Sequence, residues 1–224
     1  MQLSATIRTE TCEKDGCGKI HHTILHNPDY VGTTVPKELV CSSLVWYMCA
    51  TDVKVLTKVL PIILRGPSGE VKTFAMLDYG SEVTILEQSI ADKLGLKGLT
   101  ESFHLKTVNG ISSEVSHHVS LQIQGETMER TFSMDNVRTL PILPLRHQAV
   151  NISKLQQCWK HLCDAQLPSL KNARPTILIG KDHGELIVTR ECVTGPWKSP
   201  ILSRTSFGWV VHGTIASYRG FRSE

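Results

Sequence analysis

The sequence predicts a mainly β domain with a short helix and one inserted helical segment, and three observations predict it. From Asp52 onward, short runs rich in Val, Ile, Leu and Thr recur between turn formers. Asn109-Gly110 stands between two such runs and is the strongest hairpin signal in the chain. The run Thr176-Ile177-Leu178-Ile179 is continuously apolar and stops at Gly180, as a strand buried on both faces would.

The elements follow in order. Residues 1–26 are polar and crowd Cys and His together, and residues 27–51 open on turn formers and read as a linker. The domain is expected over 52–193, and 194–224 as a C-terminal tail. "DVKVLTKVLPIIL" reads as one strand, "RGPSGE" as a turn, and "VKTFAML" as the return strand. After Asp78, "TIL" is a further strand, and "EQSIADKLGL" a short helix stopped at Gly95. The runs around Asn109-Gly110 form a hairpin, and "TFSMDNV" adds another strand. Between Pro141 and Pro175 prolines bracket a helical stretch with Ile152, Leu155, Trp159 and Leu162 on one face. Cys163 extends that face, so Cys158 and Cys163 read as buried thiols. Trp197 and Trp209, in the tail, read as packing residues.

The chemistry concentrates at "AMLDYGSEVTIL", residues 75–86. A carboxylate at the end of a buried strand costs free energy unless it is hydrogen-bonded or its protonation shifts. Gly80, two residues after Asp78, lets backbone amides approach that carboxylate. Ser81 offers a hydroxyl to hold one of its oxygens. Such a loop would fix a carboxylate rigidly beneath a cleft. Two such carboxylates side by side share a proton: the ionised one deprotonates water and the protonated one polarises a peptide carbonyl.

"AMLDYGSEVTIL" resembles the active-site loop of retropepsin-type aspartic proteases. "TVNGISSE" resembles their flap hairpin, with Asn109 and Gly110 at its tip, and "TILIGKDHGELI" their late strand. More narrowly, the chain resembles the aspartic peptidase segment of Pol polyproteins from Pao/BEL-type retrotransposons. There a "CxxxxCxxxHHTxLH" pattern precedes the protease and "FGWVVHG" resembles the segment after it. The likeness runs from Cys12 to Gly213. It implies a retropepsin-like acid protease barrel, catalysis by Asp78 with Gly80 and Ser81 as loop support, and no cofactor for the reaction. Tyr79 departs from the pattern, which places Thr or Ser there to bond across the two-fold axis of a dimer. Tyr79 cannot make that short contact, so the lock is left open.

A second Asp-x-Gly, at Asp182-His183-Gly184, lacks the following Ser and apolar run, and the resemblance gives Asp182 a structural role. The dyad is therefore expected from Asp78 of two copies in a symmetric homodimer acting on polypeptide. Activity is expected at mildly acidic pH, since one proton is shared. The rival expectation is a retropepsin-fold module without catalysis, serving dimerisation or peptide binding. Ser203, Ser206 and His212 do not make a hydrolase triad, because no G-x-S-x-G elbow exists.

Cys12, Cys17, His22 and His26 could supply four zinc ligands, and the segment resembles a degenerate retroelement zinc knuckle. Two readings stay open: a knuckle folded by metal, able to touch single-stranded nucleic acid through Arg8, Lys14 and Lys19, or a polar leader without metal. The net charge of +3 is too small to imply a nucleic-acid partner by itself. The apolar stretch Leu39–Ala50 is too short to span a bilayer, and no secretory signal opens the chain. Seven cysteines, odd in number and irregular in spacing, predict a reducing, cytoplasmic setting rather than a disulfide framework.

Overall fold

The computed structural model describes residues 54–107 and 110–215, together with the strand β1 at Glu38–Val40. The strands that follow are β2 (Lys54–Leu56), β3 (Val59–Gly66), β4 (Gly69–Leu77) and β5 (Ile85–Glu87). Then come β6 (Leu99–Thr107), β7 (Gly110–Gly125), β8 (Thr131–Leu140) and β9 (Gln148–Val150). The set is completed by β10 (Leu170–Ala173), β11 (Pro175–Ile179), β12 (Glu191–Val193), β13 (Ile201–Thr205) and β14 (Gly208–Ile215). Three short helices are α1 (Gln88–Lys93), α2 (Ile152–Cys158) and α3 (Gly184–Ile187). The domain is mainly β, with few helices, as the sequence predicts.

Six strands close on themselves in the order β7-β3-β4-β11-β5-β8, with β8 returning to β7; β6 and β1 extend the sheet from β7. Period-two alternation explains why the strands read as nearly continuous apolar runs. On β3, Leu60, Ile62 and Leu64 join one buried cluster while Val59 joins another. On β11, Ile177 and Ile179 face the first and Leu178 the second. The first cluster draws on all six strands and fills the barrel interior, with Ile90 and Leu94 of the α1 region and Leu186 and Ile187 of α3 closing on it. The second covers the outside of the barrel and takes in Phe103 and Leu105 of β6. Each such fully buried Leu or Ile contributes about 1.5–3 kcal/mol relative to exposure.

Three expectations are corrected by this packing. The single strand expected over 52–64 is two: the chain leaves one sheet after Leu56 and enters the barrel at Val59, and β2 pairs with β14. Gln148 fixes that break by accepting from the Thr57 amide at 3.0 Å. The expected tail is largely domain: β13 and β14 form a hairpin whose Leu202, Val210 and Val211 are buried in the same clusters as the barrel strands. The folded unit therefore runs past Val193 to Ile215. The inserted stretch is not only helical. Its α2, capped by Asn151 accepting from Lys154 N at 2.9 Å, is flanked by the antiparallel pair β9–β10.

Two side-chain readings change as well. Leu155, Trp159 and Leu162 are buried as their spacing predicts, but Cys158 and Cys163 are exposed. The helix ends at Cys158 and a single 3-10 turn follows, which rotates Cys163 out of line with the apolar face. Trp209 packs against the outer cluster, whereas Trp197 is 91% exposed. The turn at Pro67 and Ser68 between β3 and β4 and the β6–β7 hairpin stand where the sequence puts them.

Candidate active site

Asp78 is the first residue after β4. Its amide donates to Ile179 O at 3.0 Å, so the turn begins while the chain is still bonded to β11. The topology around it is specific. β11 lies between β4 and β5, parallel to the first and antiparallel to the second, so the strand entering the turn and the strand leaving it are held apart by a third. Both apolar runs around Asp78 are thereby buried, which answers why "AML" and "TIL" flank a carboxylate.

Within the turn, Gly80 N donates to Asp78 Oδ1 at 2.8 Å, the approach expected of a glycine two residues on. Asp78 Oδ2 is shielded from solvent and has no hydrogen-bond partner among the described residues. Ser81 does not hold the carboxylate. Its Oγ donates instead to Val83 O at 2.8 Å, and its carbonyl accepts from Lys181 N at 2.9 Å. Being wholly buried, the hydroxyl serves the floor of the loop, where it satisfies the nearby Val83 carbonyl.

Asp182 braces the same loop from below. Its Oδ2 accepts from Thr84 N at 2.8 Å and its Oδ1 from Thr84 Oγ1 at 2.7 Å, while His183 Nδ1 lies 3.2 Å from Oδ1. Thr84 Oγ1 in turn accepts from Gly180 N at 3.1 Å. Burial pushes the Asp182 carboxyl up, but the bonds from His183 and Thr84 outweigh it and hold it below the usual carboxylate value. Gly180 is required here, since a Cβ would sit 2.5 Å from Val83 O.

Tyr79 faces neither oxygen of Asp78. Its hydroxyl donates to Ile187 O at 2.7 Å and accepts from Thr189 N at 3.2 Å. Lys58 Nζ lies 5.2 Å from the Tyr79 ring centroid and donates to Thr189 Oγ1 at 2.8 Å. Burial lowers the Lys58 ammonium from its ordinary value, with Cys192 opposing. No local pattern announces these contacts, because the partners of Tyr79 lie more than a hundred residues away.

Of the remaining expected site residues, Gly110 opens β7 with φ +127°, a conformation that favours glycine. Asn109 lies outside the described residues, as do Cys12, Cys17, His22 and His26. Among the described residues no group of three or more His, Cys, Asp or Glu side chains is placed to hold a metal ion. No helix among them is long and apolar enough to cross a membrane. Ser203 Oγ does lie 2.8 Å from His212 Nε2. Yet Ser203 is buried, and no carboxylate among the described residues bonds His212. Burial, aided by Lys58, pushes that imidazole down to about 4, so the pair reads as packing. A shallow concavity of about 300 Å³ lined by Arg65, Pro67, Gln122 and Asp135 shares no residue with the Asp78 turn.

No protein-family model matches the chain, and neither does any curated protein or solved structure.

Proposed function

We propose that the chain is an aspartic endopeptidase that works as a homodimer, the peptidase segment of a Pao/BEL-type retrotransposon polyprotein. The observation that carries the reading is the asymmetry of the Asp78 carboxylate. One oxygen is fixed by Gly80 N at 2.8 Å and the other is shielded without a donor. The oxygen that Gly80 N fixes lies on the exposed side of the turn, where a second carboxyl would approach and share one proton with it. The closed barrel and the strand inserted between β4 and β5 support the reading by holding the turn rigid.

In this mechanism the two Asp78 carboxyls, one from each copy, hold one proton. The ionised group takes a proton from water while the protonated group hydrogen-bonds the peptide carbonyl oxygen. The water oxygen bonds to the carbonyl carbon. The tetrahedral species then collapses as the amine nitrogen is protonated and the C–N bond breaks. No covalent enzyme intermediate forms, and no metal takes part.

The test is pepstatin-sensitive cleavage by the purified chain at mildly acidic pH, with its solution mass measured alongside. Asp78→Asn keeps an acceptor for Gly80 N, so it is expected to fold normally while losing about 10²–10⁴-fold in rate. A mutant that still cuts, or an active monomer, would sink the proposal.

A second reading has one observation in its favour. Tyr79 spends its hydroxyl inside its own chain, where the resembled dimers use a hydroxyl between chains. On that ground a retropepsin-fold module for dimerisation or peptide binding, without catalysis, is the alternative. An intact dimer that never cleaves would favour it.

A further inference from the structure

We propose that Tyr79 positions the Asp78 turn through a clamp made within one chain, with Lys58 and the segment 187–189 as its other parts. The inference rests on the aspartic peptidase reading for its catalytic consequence, but the clamp itself can be tested without it.

The geometry leaves the phenol nothing spare. It donates once, to Ile187 O, and accepts once, from Thr189 N, so both functions of the hydroxyl bind main chain. A tyrosine that is 46% exposed would ordinarily leave its hydroxyl to water. Here the ring is pinned at its far end to the stretch that follows α3. Its face is covered by the Lys58 ammonium, which reaches on to Thr189 Oγ1. The Lys58 carbonyl also accepts from Leu77 N at 2.9 Å, so one residue grips the chain on either side of Asp78. Tyr79 and Asp78 share a planar peptide, and fixing one restricts where the other can point.

The consequence is a division of labour. A hydroxyl reaching across a two-fold axis would make the shape of the turn depend on pairing. A hydroxyl spent within the chain shapes the turn before any second copy arrives. Pairing then has only to bring the two carboxyls together.

Tyr79→Phe keeps the ring under Lys58 and removes only the hydroxyl. In the full chain, amide hydrogen exchange at Thr189 and Gly80 is expected to accelerate in this variant, while the dimer dissociation constant stays within about twofold. On quenched-fluorescent casein, kcat is expected to fall about tenfold with KM nearly unchanged, the signature of a displaced reacting group. Lys58→Met, which removes the second arm, should accelerate exchange at the same two amides and serves if Tyr79→Phe does not fold. Unchanged exchange at Gly80 in a folded variant overturns the clamp. So does a loss of kcat that disappears when the dimer is driven by concentration, since the lock would then act between copies. Retained cleavage by Asp78→Asn, or no cleavage by the unaltered chain, instead overturns the peptidase reading. The clamp then stands or falls on exchange alone.

Discussion

The chain carries two Asp-x-Gly sequences, and they have opposite fates. At Asp182-His183-Gly184 both carboxylate oxygens are committed to Thr84, with His183 close by. At Asp78-Tyr79-Gly80 one oxygen takes a single backbone bond and the other takes none. The contrast teaches that the local pattern says little about role. What separates a structural carboxylate from one with spare capacity is the number of donors the fold delivers to it, and that number is set by strands distant in sequence.

The sharpest way to break the comparison is to remove each carboxylate in turn. Asp182→Ala strips the buried Thr84 amide and hydroxyl of their charged acceptor and is expected to cost about 2–4 kcal/mol. Asp78→Ala loses one exposed turn bond and is expected to cost about 1 kcal/mol or less. Chemical denaturation of both variants decides the matter: equal losses would mean that the two carboxylates do the same work.

The next effect probes the contact that brings the two loops together. Gly180→Ala places a methyl against the Val83 backbone at 2.5 Å, where no flexible side chain can give way. A loss of about 1–3 kcal/mol is expected, and a thermal melt at the level of the unaltered protein would show the loops to be less tightly seated.

A further effect is the dependence of stability on acid. His212 titrates at about 4 when folded against an ordinary 6.5, so between those values the unfolded chain binds a proton that the folded chain refuses. Stability fully present above 6.5 is therefore lost on the way down to 4. Asp182, held below its ordinary 3.8, adds a further loss as pH falls through its folded value. Melting temperatures are expected to decline in two stages. His212→Gln should flatten the first and Asp182→Asn the second, and a flat profile between 6.5 and 4 in the unaltered protein would refute the assignment.

Much of this was legible in the sequence because it depends on near neighbours. Apolar runs bounded by Gly and Pro located the barrel strands, and Gly80 two residues past Asp78 announced the bond between them. What escaped depends on distance. Nothing near Thr84 reveals that its partner is 98 residues on, nor does Tyr79 advertise Ile187 and Thr189. Sequence proximity points Ser81 at the carboxylate, whereas the buried Val83 carbonyl takes the hydroxyl. The break at Thr57 and the exposure of Cys163 follow from where another segment packs and where a helix stops. Trp197 shows the reverse case: an aromatic that reads as a packing residue but that the fold leaves outside.

The seat of β11 between β4 and β5 has a consequence in time. Of the six strands that close the barrel it is the last to be synthesised, yet its place is in the middle. Joining segments so far apart is entropically costly and slow compared with hairpin formation. A growing chain that has passed Asp78 but not yet reached Ile179 has a gap where the acid's support belongs. The support of the Asp78 turn is thus in place only after the five other barrel strands have been synthesised.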